Sequence, residues 1–521
     1  MKKFYHLTTL GLLFIFAARA QTSPQVRVAN GILEGALDTG NIQIFRGIPF
    51  AQPPVGDLRW KEPQPVKNWK GVRKAIRFGP RPMQIAQIKD MIFRSEKYSE
   101  DCLYLNIWAP VTASGEKLPV LVYFYGGGLY VGDGSELRYD GASMARKGIV
   151  TVTVNYRLGI FGFFAHSQLT DESPHHSSGN YGFQDQQAAL RWVQTNIAAF
   201  GGDPGKVTIA GQSAGSMSVS IQMASPLSKG LFSGAIGESG SILGATEPPT
   251  LNMAEQMGSR FKQSLNNISF DELRAEPAEQ LMQEAARSGF HFSTIVDGYF
   301  LPQSPREIFS TGHQVNVPLL AGWNATEVSW NNIVGNDEPT VANYYAGLLK
   351  IFGPRAEEAA KMYPAASKEE VLRSATDLAT ERFLGYSTWR WIDLHAKTGN
   401  KPVYRYLYAQ QQPPWSDAKE PAAKPPFPIA PHSAEIAYAL GNLPIYNIYA
   451  WTPDDYKTST IMQGFFANFI RTGDPNGPGL PTWSAFQAGT PNVMIIDKDA
   501  HQEPEKDQKR LLFLDSFYYT K

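Results

Sequence analysis

The sequence predicts an α/β fold: a large, mostly parallel central sheet flanked by helices, with helical insertions in its second half. Three observations carry that reading. Short continuous apolar runs such as 120–125 alternate with segments of helical spacing, which is how strands covered on both faces read. The stretch FGGDPGKVTIAGQSAGS, from Phe200 to Ser216, passes through a loop and a β-branched strand into a sharp glycine turn at Ser213 and then a small-residue helix start. That is the layout of a nucleophile elbow. Three consecutive glycines, Gly126, Gly127 and Gly128, follow a buried strand directly.

The elements follow in order. Lys2 and Lys3, an apolar run from Leu7 to Ala17, and Ala18-Arg19-Ala20 read as a secretory signal peptide, 1–20, cleaved before Gln21. The run is too short to span a bilayer, and no cysteine follows the cleavage site to carry a lipid. The expected product is exported, periplasmic or extracellular, and without a stable membrane anchor. Residues 26–56 read as short strands with glycine turns, ending in GIPFAQPPVG, whose prolines exclude regular structure. Strands are expected at 103–108, 120–125 and 149–156, an amphipathic helix at 185–199, and a strand at 207–210. Beyond Ser239 the pattern loosens: 251–290 and 340–400 read as amphipathic helices, with strands at 317–322 and 403–408. Residues 412–431, QPPWSDAKEPAAKPPFPIAP, are too proline-rich for regular structure and read as an ordered surface loop rather than a flexible connection. No internal repeat or composition break divides the chain, so 21–521 is expected to be a single domain.

Composition narrows the partners. Apolar residues make up 43% and charged residues 18% of the 521, which suits a globular core and not a disordered chain. Lysine plus arginine equal aspartate plus glutamate at 48 each, with no basic stripe, so neither nucleic acid nor an anionic membrane surface is an expected partner. Cys102 is the only cysteine, so no intrachain disulfide can form. At the start of an aromatic-rich strand, EDCLYLNIW, it reads as a small buried hydrophobe rather than a catalytic thiol.

A serine hydroxyl is a poor nucleophile at neutral pH, so Ser213 needs a base within hydrogen-bond reach and an acid to orient that base. His432 is the favoured base because it ends the proline-rich loop and precedes a helix start, SAEIAYALG. The acid is expected between Ser213 and His432, on a loop that follows a strand. Glu327, just past the turn Asn324-Ala325-Thr326, fits; Asp297 in VDGYFLP is the rival, and it also reads as a turn residue beside glycine. The glycine triplet is suited to present backbone N–H groups to an oxyanion. It lacks the GxxxxGK spacing and lysine of a phosphate loop.

Taken together these residues resemble the type-B carboxylesterase and cholinesterase family of α/β hydrolases. The resemblance runs through FRGIPFAQPPVGDLRW at 45–60, EDCLYLNIW at 100–108, YGGG at 125–128, NYRLGIFGF at 155–163, GNYGFQDQQAALRWVQTNI at 179–197, the elbow itself and RTGDPN at 471–476. It implies an α/β-hydrolase fold and hydrolysis of a small-molecule carboxylic ester without metal or cofactor. It further implies Ser213 as nucleophile, Glu327 as acid, His432 as general base, and an oxyanion hole from the N–H groups of Gly127, Gly128 and Ala214. Asp297 then falls in a structural stretch. Ser239, in ESGS, matches a serine that supports the triad in relatives, and a plain buried hydroxyl is an equally good reading.

Three departures sharpen the expected substrate. Cys102 matches a half-cystine of many relatives, but the partner position holds Pro82, so the intervening loop is unstapled. Residues 83–101 contain no tryptophan, where relatives that hydrolyse choline esters carry one for a cation–π site. Gln212 stands where many relatives have glutamate. Neutral, apolar or aromatic esters are therefore expected rather than choline esters. The alternatives are a lactonase, amidase or thioesterase using the same triad, and a non-catalytic adhesion homologue, which the survival of all three triad positions disfavours.

Overall fold

The carboxyl ends of parallel strands set the stage for the site. The structure, a computed structural model, describes residues 23–38, 40–85, 88–111, 115–266, 268–418, 427–489 and 491–519. The expected leader, 1–20, and the centre of the proline-rich stretch, 419–426, lie outside the described residues. The strands are β1 (Gln25–Val28), β2 (Gly31–Glu34), β3 (Ala36–Leu37), β4 (Ile42–Pro49), β5 (Val72–Lys74), β6 (Tyr104–Pro110) and β7 (Leu118–Phe124), then β8 (Val150–Val154), β9 (Gly202–Gln212), β10 (Gly234–Glu238), β11 (Leu319–Asn324), β12 (Val403–Tyr408), β13 (Asn492–Ile496) and β14 (His501–Pro504). β1, β2 and β5 form a small sheet, and the rest form one sheet in the order β14-β13-β12-β11-β10-β9-β7-β8-β6-β4-β3. From β8 through β7 and β9 to β13 every pairing is parallel. The antiparallel pairings lie toward the two edges.

Every residue of β8, β10 and β11 is buried, as expected for strands with helices on both faces. The expected alternation therefore holds through the central strands, with instructive differences. β9 starts at Gly202 rather than near Val207, because Gly202 pairs with Leu118 and a register shift absorbs the intervening residues. β10 was not anticipated: GAIGE carries two glycines, which ordinarily signal a turn. Here a Cβ on Gly237 would lie 2.3 Å from the Trp391 ring, so that glycine answers to packing. β13 and β14 were also missed; the edge strand β14 begins at His501.

The looser regions are helical as expected, but broken into pieces. Leu251–Ser264, Phe270–Ala275 and Ala278–Ser288 make up the first region. In the second, Lys368–Thr380 continues through a π-helical turn at Glu381–Gly385 into Tyr386–Thr398. The described ends of the proline-rich loop are held in place: the Gln412 N–H donates to Ile429 O at 2.9 Å, and the Trp415 ring lies 4.7 Å from Tyr449. Among the described residues no helix is long and apolar enough to cross a membrane.

Candidate active site

Close backbone approach explains the glycines of the elbow. A Cβ on Gly215 would lie 2.0 Å from Phe124 O, and one on Gly211 would lie 2.7 Å from the same carbonyl. The end of β7 therefore packs directly on the turn between β9 and the helix Ala214–Ala224. Ser213 itself sits at φ 58° and ψ −123°, a conformation that costs a residue with a Cβ about 1–3 kcal/mol. It is held there by its N–H, which donates to Glu238 O at 2.8 Å, and by its carbonyl, which accepts from Met217 N at 2.9 Å.

The glycine triplet leaves β7 beside this turn, since Phe124 pairs with Gly211. A Cβ on Gly126 would lie 2.6 Å from Gln212 O and 3.1 Å from Ser213 Cβ, so loop and elbow touch. Gly127 and Gly128 adopt φ 110° and 65°, which glycine alone accepts at low cost. No described residue accepts a hydrogen bond from either amide. Ala214 opens the following helix, so its N–H has no intrahelical acceptor, and the helix's positive end faces the same space.

Glu327 and His432, distant in sequence, are brought together by backbone before their side chains meet. The Thr326 N–H donates to Ala430 O at 3.2 Å and the His432 N–H to Glu327 O at 3.2 Å, while Ala430 N donates to Thr326 Oγ1 at 2.6 Å. The side-chain contact follows: His432 Nδ1 lies 2.6 Å from Glu327 Oε2. The other carboxylate oxygen accepts from Asn324 N at 2.8 Å. Burial works to discharge the His432 imidazole, but the adjacent Glu327 carboxylate, with Glu435 adding to it, outweighs burial and holds the pKa above the ordinary 6.5. Asp297 lies elsewhere, accepting from Leu301 N at 2.8 Å and Ser177 Oγ at 3.0 Å. It is a turn-bracing carboxylate.

The Ser213 hydroxyl makes no hydrogen bond to a described residue. Its neighbour does contact the imidazole: Gln212 Nε2 lies 3.3 Å from His432 Nε2 and 3.4 Å from Nδ1. Near-equal distances to both ring nitrogens place the amide over the ring face, while Phe383 meets the ring at 5.3 Å and 80°.

Sequence reasoning missed a buried polar layer beneath these groups. Asn324 Nδ2 donates to Glu435 Oε2 at 2.6 Å, Ser239 Oγ to Glu435 Oε1 at 3.4 Å, and the Tyr123 hydroxyl to Glu238 Oε1 at 3.0 Å. Burial pushes both carboxyls above the ordinary carboxylate range, with repulsion from Glu435 adding to it at Glu238 and repulsion from Glu327 adding to it at Glu435. The only hint in the sequence was two glutamates beside residues already singled out, Ser239 and His432. Cys102 is a buried free thiol, and it lines one small cavity together with Pro82. Among the described residues no group of three or more His, Cys, Asp and Glu side chains is placed to hold a metal ion.

A serine turn between strand and helix, flanked by free backbone amides at the carboxyl ends of a mostly parallel sheet, defines the α/β-hydrolase class. The carboxylesterase family model matches residues 22–513. Rabbit (Oryctolagus cuniculus) liver carboxylesterase 1 is 36% identical over 85% of this chain and 84% of its own. The para-nitrobenzyl esterase of Bacillus subtilis is 33% identical over 93% and 97%. Among solved structures, a PNB esterase superposes with TM-score 0.80 at 31% identity, covering 95% of this chain and 99% of that one. A Geobacillus stearothermophilus carboxylesterase gives 0.78 at 32%, covering 94% and 99%. This chain belongs to the carboxylesterase family and is a carboxylic ester hydrolase.

Proposed function

We propose that the chain hydrolyses esters through a serine acyl-enzyme. His432 takes the proton of Ser213 as the hydroxyl attacks the ester carbonyl, and then passes it to the leaving alcohol; water repeats the sequence and releases the acid. Glu327 orients the imidazole and stabilises its charged form, and the N–H groups of Gly127, Gly128 and Ala214 receive the oxyanion. The observation that supports this reading most is the 2.6 Å His432–Glu327 contact, fixed by backbone bonds and set beside the strained turn of Ser213.

We further propose neutral, apolar or aromatic esters as substrates. A cavity of about 350 Å³ starts at Tyr130, two residues beyond Gly128, and is lined by Met83, Ile85, Phe161, Met282, Phe290 and Phe292. No carboxylate stands among its described lining residues to attract a cation, and the side chain over His432 is the neutral Gln212. The charged and apolar regions of the N-terminus support export with cleavage after Ala20.

Ser213→Ala tests the mechanism: turnover of p-nitrophenyl acetate is expected to fall by about a millionfold, and a folded variant hydrolysing at a comparable rate would refute it. A rate panel across aliphatic, aryl and choline esters tests the specificity, with choline esters expected to be the slowest.

A further inference from the structure

A buried cation ties the loop of the proposed base to the unstapled loop that precedes Cys102. The Arg138 guanidinium is 2% exposed. Its Nε pairs with the buried Glu136 carboxylate. Its Nη1 donates to Asp90 Oδ2 at 3.0 Å and to Ser433 Oγ at 3.2 Å. Asp90 belongs to the unstapled loop, and Ser433 follows His432 directly at φ 68°, a left-handed conformation that needs an external hold in a residue other than glycine. Further contacts converge on the same point. The Tyr446 hydroxyl donates to Asp90 O at 2.6 Å, and Asn442 Nδ2 donates to Arg138 O at 2.8 Å.

We propose that Arg138 is a positioning residue for the general base: it locks Ser433, and through it His432, to the loop around Asp90, and presents its positive charge toward the imidazole. The proposal rests on His432 acting as the base. The charges facing His432 are Glu327 and Glu435, which favour the imidazolium, and Arg138, which opposes it. Glu136 and Asp90 balance Arg138, with the Tyr139 and Tyr446 rings close by. The guanidinium is thus held between two carboxylates, and the same Nη1 that meets Asp90 also reaches Ser433. Without a disulfide at Cys102, this ion pair and its hydrogen bonds hold the loop where it braces the base.

The test uses the full-length protein and p-nitrophenyl acetate. Arg138→Lys keeps the charge but cannot bridge three partners at once; kcat is expected to fall about tenfold with KM nearly unchanged and the acid limb of the pH profile in place. Glu136→Gln combined with Arg138→Met removes the guanidinium and its clamp without leaving Glu136 as an unpaired buried charge. It is expected to lower kcat and to move the acid limb upward, because the positive charge that opposes the imidazolium is gone. A folded double variant with the wild-type kcat and acid limb would overturn the proposal. Should that variant fail to fold, Ser433→Ala decides: kcat is expected to fall about fivefold at unchanged KM, and an unchanged kcat would overturn it. His432→Ala run in parallel separates the two readings, because activity surviving there would remove His432 as base whatever the Arg138 variants do.

Discussion

Glu327 has two duties toward His432, and they separate experimentally. Its carboxylate orients the ring through Nδ1 and raises the imidazole pKa above 6.5 against the pull of burial. The proposed mechanism needs the neutral imidazole, so kcat/KM is expected to fall off on the acid side with a midpoint above 6.5. In Glu327→Gln that midpoint should drop, because the largest opponent of burial is then gone and Glu435 alone still favours the charged ring, and kcat should fall by about 10⁴. A pH–rate profile of both proteins checks this; an unmoved midpoint would mean that the carboxylate does not set the pKa. At this scale the sequence singled out Ser213, Glu327 and His432 as candidates because each is punctuated by local chemistry: a glycine turn, a post-strand turn and the end of a proline-rich loop; the structure brings the last two together. Glu238, Glu435 and Arg138 were not legible. Their roles arise mostly from contacts between segments distant in the chain, from 48 residues for Arg138 and Asp90 to 295 for Arg138 and Ser433, which leave no local spacing to read.

Among the elements, the elbow depends on how closely β7, β9 and the helix Ala214–Ala224 approach. Gly215→Ala would put a methyl group 2.0 Å from Phe124 O, which must push strand and helix apart. A stability loss of about 2–4 kcal/mol is expected by denaturant unfolding, with activity falling as the Gly126–Gly128 loop is displaced. A stable, active variant would show that the approach is not needed. The central strands were legible because they are continuous apolar runs. β10 was not, because Gly234 and Gly237 mimic turn punctuation while serving a tight contact with Trp391. β14 was missed because no residue of this short edge strand is buried, and β13 because its apolar run is only four residues long. The start of β9 was misplaced because a register shift hides GDPGK inside a strand.

For the whole molecule, the buried carboxyl layer predicts how stability depends on pH. Glu238 and Glu435 titrate above the ordinary carboxylate range in the folded protein, so in that window the native state binds more protons than the unfolded one. Their contribution is fully present below the ordinary carboxylate pKa and is lost as pH rises through the raised native values. Glu238→Gln, which cannot ionise, should melt above the wild type near pH 8, with the difference shrinking toward pH 5. A constant difference across that range would contradict an uncharged Glu238.

The proposed mechanism requires one covalent event at Ser213, and that event can be observed directly. The intact mass of the protein, measured after brief exposure to a fluorophosphonate and followed by peptide mapping, is expected to show a single adduct on the peptide containing Ser213. Ser213→Ala should take up none, and Glu327→Gln should react far more slowly. Labelling at another residue, or ester hydrolysis that persists after Ser213 is fully modified, would contradict the mechanism.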